Sequence, residues 1–425
     1  MLNRVRAFSK QNPLLASASN LMLSAGITAA LGFVFWTVIA HTFRTETIGI
    51  ATTLLSMSTL LSLMGLAGFD TIFVRYLPKS KHRNEQINSG LVIAGITSAI
   101  FGILFCVLLP ILSPKLSFVD SNPWYIASFI VFTVFTTWNT LTNAVLVAYR
   151  RTSFVVAINI IFSAVKLALP FIVRSGGPMT IFAFVGVAQV VNVILSIAAL
   201  MRYFDYVPSF KIHFGLVRET LRFGSATYAA QLLNLLPDSS LPLIVVNKLG
   251  PTAAAYFYIA FTIANLLYTI AFSTAQALLA EASHDEEHIV QHLRKGIVMI
   301  SVLLIPATIV LIVVCPFILA FFGEAYRSGA TGLLRIMSIS SIAVMIYSAL
   351  GTVFKLTRNL KAILATTATN AVVIVTLSIV VAKPWGLNGI GWAWLIGSWA
   401  SVIVGLWFVR DWLRISRRMP APAEA

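Results

Sequence analysis

Apolar residues dominate this chain in long runs of about twenty, separated by short polar interruptions. Twelve such runs can be read, near 14–40, 47–69, 88–112, 124–149, 152–173, 180–203, 222–247, 252–280, 293–322, 329–354, 360–382 and 388–413. A helix rises 1.5 Å per residue, so each is long enough to cross a hydrocarbon core of about 30 Å. The pattern predicts an all-α integral membrane protein with about twelve transmembrane helices. Loop starts near 41, 79, 113, 150 and 174 reappear near 248, 286, 320, 357 and 381. A six-helix unit therefore occurs twice in the same orientation, giving two parallel six-helix lobes, an arrangement found in transporters. The expected division is 1–209 for the first lobe, 210–222 for a connector and 223–425 for the second lobe. KIHFGLVRETLR (211–222) reads as an amphipathic segment lying on the membrane surface.

Composition agrees: 58% of the 425 residues are hydrophobic and 10% charged, against about 25% charged in soluble domains. The net charge of +16 would suggest nucleic acid in a soluble protein. Its distribution argues otherwise. With the N-terminus inside, the Lys and Arg residues of loops and tails fall 22 on the cytoplasmic side and 6 (Arg44, Lys115, Arg174, Lys248, Arg327, Lys383) on the other. The positive-inside rule then places both termini in the cytoplasm, in a multi-pass protein of the inner (cytoplasmic) cell membrane. The basic excess serves topology and attraction to anionic lipid, and no nucleic-acid partner is expected. MLNRVRAFSK reads as the retained flank of the first helix. Cys106 and Cys315 lie within apolar runs and read as buried thiols.

No GxSxG, HExxH, Walker A or kinase motif occurs, and the outer loops carry few acids (Glu46, Asp120, Glu324). Neither an enzyme nor a cofactor is expected. Glu281, His284, His288 and His292 share one helical face and resemble a metal site, but they sit in the most polar loop of the chain. A solvated amphipathic helix explains them better, and no metal is expected.

Polar groups inside apolar spans carry more information, since hydrocarbon tolerates them only against a cavity or a partner. Lys166, Asp238 and Arg335 stand out. Lys166 is deep enough to line a wet cavity, whereas Arg335 either does the same or snorkels to the interface. Asn139 and Asn143 form one polar stripe, and Gln231, Asn234 and Asp238 another; such stripes line a cavity or glue helices together. In NLLPDSSLPLIV (234–245), Pro237 and Pro242 each remove an amide donor. The expectation is a helix broken at membrane depth, with Asp238 at a gating point. Asp238 then has two open roles, coupling a cation or pairing with Arg335 within the second lobe, the pair being slightly favoured.

Three segments, LMGLAGFDTIFVRYLPKSKHR, LGPTAAAYFYIAFTIANLLYTIAFSTAQALLAEAS and GLNGIGWAWLIGSWASVIVGL, together with the twelve-helix repeat, resemble the polysaccharide-transporter (oligosaccharide flippase) family of the multidrug/oligosaccharidyl-lipid/polysaccharide exporter superfamily. The resemblance spans nearly the whole chain. It implies two lobes forming a V around a cationic central cavity. It also implies movement of a lipid-linked oligosaccharide, a polyprenyl-pyrophosphate sugar, to the outer leaflet by alternating access. The partners it implies are that lipid, bulk membrane lipids and other polysaccharide-assembly proteins, while Asp238 departs from a purely cationic lumen and is the candidate for coupling a proton or sodium ion. Rival readings are a cation-coupled multidrug exporter of the same superfamily, a major-facilitator carrier, and a non-catalytic membrane component of a polysaccharide-synthesis complex.

Overall fold

A computed structural model describes residues 13–212, 214–282, 289–357 and 359–416, with side-chain surroundings given outside 13–25, 214–227, 276–297, 299 and 411–416. Among the described residues every regular element is helical. That follows from the solvent: with no water in the bilayer core, each backbone N–H and C=O must find its partner within the helix.

The chain divides into two compact units, Met1–Tyr228 and Ala229–Ala425. The first contains α1 (Pro13–Thr42), α2 (Thr45–Gly65), the short α3 (Phe69–Tyr76), α4 (Arg83–Leu112), α5 (Pro123–Ala148), α6 (Thr152–Ile172) and α7 (Pro178–Tyr203). The boundary falls inside α8 (Phe214–Leu249), and the second unit is built from the rest of that helix with α9 (Pro251–Ala282), α10 (Ile289–Ala320), α11 (Glu324–Leu356) and α12 (Leu360–Ser416). Gly386 (φ 57°, ψ −146°) breaks α12 into two arms, each long enough to span. Counting the arms separately, the described helices comprise six long ones per repeat, and α9 and α10 start at Pro251 and Ile289 where α2 and α4 start at Thr45 and Arg83. Pro13, Pro123, Pro178 and Pro251 each open a helix at its first turn, where a missing amide hydrogen costs nothing.

Two expectations change. Residues 214–249 are one continuous helix, so most of the stretch expected as a separate surface connector is the beginning of α8; its side chains lie outside those described. The second run also ends early. α2 stops at Gly65, and Ala67 (φ 48°) and Gly68 (φ 82°) turn the chain left-handed into α3.

In the first unit the helices approach closely through small residues, as membrane helices do when burial from water supplies no drive. A side chain on Gly65 would meet the backbone of Ser98 at 2.8 Å. Thr97 Oγ1 donates to the Gly65 carbonyl (2.7 Å), Ser58 and Thr133 hydroxyls pair (2.9 Å), and Trp138 Nε1 donates to the Leu91 carbonyl (2.8 Å). At one end of this unit Asn88 pins the loop after α7. Its amide nitrogen donates to the Val207 carbonyl (2.9 Å), and its oxygen accepts from the Tyr206 hydroxyl and the Ser209 amide.

The second unit is organised around α11, which is buried along most of its length. Hydroxyls stitch it to α9 and α10. Thr352 donates to the Ala275 carbonyl (3.1 Å), Thr308 pairs with Ser341 (2.8 Å), and the Tyr268 hydroxyl on α9 donates to the Met337 carbonyl (2.8 Å). Cys106 and Cys315 are buried free thiols.

Candidate functional site

α8 continues as a helix through Pro237 and Pro242, so the expected break at membrane depth is not formed. The prolines act more locally. Lacking an N–H, Pro242 leaves the carbonyl of Asp238, one turn earlier, without its helical donor, and Pro237 does the same for Leu233. Asp238 therefore combines a carboxylate with a main-chain carbonyl released from the helix ladder.

Asp238 lines a cavity of about 300 Å³ wholly within the second unit. α8 contributes Asn234 and Asp238, α9 contributes Asn265 and Tyr268, and α11 contributes Tyr347 and Lys355. Thr367, Asn370, Trp394 and Ser398 come from the two arms of α12. One end is aromatic: Tyr268 and Trp394 stack with centroids 5.9 Å apart and planes 4° apart. Near Asp238 the wall is held by Tyr347, whose hydroxyl donates to Asn234 Oδ1 (2.9 Å) and lies 3.3 Å from Thr367 Oγ1. Lys355, exposed near the end of α11, is the cation of the opposite end.

The favoured Asp238–Arg335 pair does not form. Arg335 is exposed on α11, and its Nε donates to the Ile312 carbonyl on α10 (3.4 Å). The register of α11 explains this: Leu333, Leu334, Met337 and Ser338 are buried, which turns position 335 outward. Among the described residues no basic side chain lies within ion-pair distance of Asp238.

Other expected residues are scattered. In the first unit Lys166 is 9% exposed, and its ammonium lies over the rings of Phe35 (4.9 Å) and Phe162 (5.1 Å), a cation–π clasp between α1 and α6. Asn143 donates to Asn139 Oδ1 (3.0 Å), and Asn139 donates to Gln189 Oε1 on α7 (2.6 Å), so this stripe ties α5 to α7. Gln231 is half-buried on α8 and does not line the cavity, whereas Asn234 does. Glu281, His284, His288 and His292 lie outside the described side chains. Reading the sequence missed Asn265, Tyr268, Tyr347, Asn370 and Lys355. Asn265 and Asn370 were visible as lone amides in apolar runs, but no spacing links residues on different helices.

The architecture of two compact helical units, one of them enclosing a polar cavity, recurs in solved structures. Over 93% of this chain and 96% of the other, it resembles an inward-facing multidrug resistance MATE family transporter of the MOP superfamily (16% identity, TM-score 0.72). The lipid II flippase MurJ in an inward closed conformation matches over 92% and 87% (14% identity, TM-score 0.73). A MOP superfamily transporter from Pyrococcus furiosus matches over 96% of both chains (13% identity, TM-score 0.64). These likenesses establish the fold. The polysaccharide biosynthesis protein family model matches residues 38–331, more than half of the sequence, and the chain belongs to that family. No curated protein sequence matches it.

Proposed function

We propose that the protein moves a lipid-linked oligosaccharide across the cytoplasmic membrane by alternating access, driven by a cation that enters the Asp238 cavity. The observation that carries the coupling is a carboxylate on a membrane helix with, among the described residues, no basic partner within ion-pair distance, in a cavity lined with amide and hydroxyl groups. An unpaired acid at membrane depth is costly, and it persists where it binds something that comes and goes. The oxygen donors at hand (carboxylate, amides, hydroxyls) suit a hard monovalent cation or a proton. Family membership supports the glycan as cargo. A diphosphate sugar cannot shed its hydration in hydrocarbon and needs a protein route.

The test uses full-length protein in vesicles with a lipid-linked sugar inside one leaflet and an imposed sodium or proton gradient. Transfer should follow one of the gradients in the native protein, and Asp238→Asn should lose that dependence while remaining folded. Gradient-independent transfer by the native protein would refute the coupling.

A second reading, export of organic cations, is favoured by the same carboxylate standing near the aromatic faces of Tyr268 and Trp394. Uptake of a lipophilic quaternary cation by the same vesicles, without transfer of the lipid-linked sugar, would select it.

A further inference from the structure

Six of the nine tryptophans fall between residues 385 and 412. Trp392, Trp399 and Trp407 lie seven and eight residues apart on the second arm of α12, so they share one face at helical spacing. They are 44%, 40% and 60% exposed, and Ile396 and Ile403, exposed by 46% and 66%, fill the positions between them. At the start of the strip Trp385, Asn388, Trp392 and Ile396 line a groove of about 470 Å³.

Tryptophan in membrane proteins concentrates at the two interfaces, where the indole N–H stays wet. This strip departs from that rule. Trp392 and Trp407 stand roughly 22 Å apart toward the two ends of the span, and Trp399 between them places an exposed indole at the depth where aliphatic side chains normally face lipid. α10 in the same unit supplies the comparison: its exposed side chains are aliphatic from Val298 through Val302, Leu303, Ile309 and Val313, with one aromatic ring, Phe317, near its end and no tryptophan. Exposed cations flank the strip, Lys383 before the Gly386 break and Arg410 five turns after Trp392 on the same face.

We propose that this tryptophan strip is the track for the isoprenoid tail of the lipid carrier, with the carrier's phosphate held at Lys383 in one leaflet and at Arg410 in the other. The proposal rests on the lipid-linked reading above. Two features select the occupant. A methyl-branched chain of repeated double bonds gains contact with flat polarisable indole faces that a saturated acyl chain does not match. The cations at both ends complement an anionic head group before and after transfer. A strip continuous through both leaflets keeps the tail on one surface while the head crosses.

The experiment places full-length protein in phosphatidylcholine nanodiscs and measures retention of a polyprenyl monophosphate and of dipalmitoyl phosphatidic acid by native mass spectrometry. The native chain should prefer the polyprenyl probe. Trp392→Leu/Trp399→Leu should weaken that probe by roughly tenfold and leave phosphatidic acid unchanged, while Lys383→Gln/Arg410→Gln should weaken both. Trp392→Phe/Trp399→Phe, which keeps rings in place, should recover most of the preference and controls for folding. Equal preference in the native and Leu variants would overturn the strip alone. No preference in the native chain would overturn the lipid-linked reading with it. Conversion of a dimer to a monomer by the Leu variant, with lipid retention intact, would reassign the face to self-association.

Discussion

The Tyr347 hydroxyl of α11 donates to Asn234 Oδ1 of α8 at 2.9 Å, one turn before Asp238. Asn234 in turn donates to the Ala230 carbonyl (3.0 Å), so its amide is fixed at both ends. This bond sets the wall beside the carboxylate. Tyr347→Phe should cost about 1 kcal/mol, the usual net value of one hydrogen bond. It should weaken cation-dependent transport more than it lowers the melting temperature. Unchanged transport in the Phe variant would remove Tyr347 from the site.

Arg335 faces α10, so it does not neutralise Asp238. Asp238→Asn should therefore accumulate to native levels. Adding Arg335→Gln should bring no rescue, because breaking a true buried pair costs about 3–5 kcal/mol and the second substitution would restore it. Immunoblots of the two single variants and the double variant decide the matter; low Asn-variant abundance restored by the second change would reinstate the pair.

Tyr206, outside the membrane spans, is 5% exposed, and burial pushes its hydroxyl from 10.0 up to about 12. The folded-state value lies above the unfolded one. The folded protein therefore holds the proton longer, and its advantage is full below pH 10 and lost as pH rises through about 12. Thermal unfolding should show stability falling across that window, and Tyr206→Phe should flatten the fall. An identical slope in both proteins would show that Tyr206 does not cause it.

Gly386 adopts φ 57°, ψ −146°, and a Cβ added there would have no heavy atom within 4 Å. The cost of Gly386→Ala is thus conformational rather than steric, about 1–3 kcal/mol. A drop of several degrees in melting temperature is expected, and a silent substitution would mean that the break relaxes.

Cysteines introduced at the exposed positions Lys115 and Arg327 should react with an impermeant maleimide on intact cells, and those at Lys81 and Lys361 only after permeabilisation. Native Cys106 and Cys315, both buried, should not interfere. Reversal at two of the four sites would refute cytoplasmic termini.

The twelve long helices and their repetition were legible in the sequence because membrane insertion is nearly a one-dimensional problem. Each span must satisfy its own backbone, and length and hydropathy report that directly. Break positions were less legible. Pro237 and Pro242 looked like the interruption, yet α8 runs through them, while the break came at Gly386, whose backbone only glycine adopts at low cost. The stripe of Asn139 and Asn143 was visible as a face, but only the packing of α5 on α7 showed that Gln189 consumes it. Arg335 and Asp238 looked like partners because composition offers few others; the rotation of α11 placed one outside and the other in a cavity. Asn265, Tyr268, Asn370 and Lys355 joined Asp238 only when α8, α9, α11 and α12 came together. The sequence by itself determined which segments enter the membrane, since that depends on each segment's own transfer free energy. The tertiary structure alone decided which polar groups meet, since that depends on helix rotation and register, which no single segment encodes.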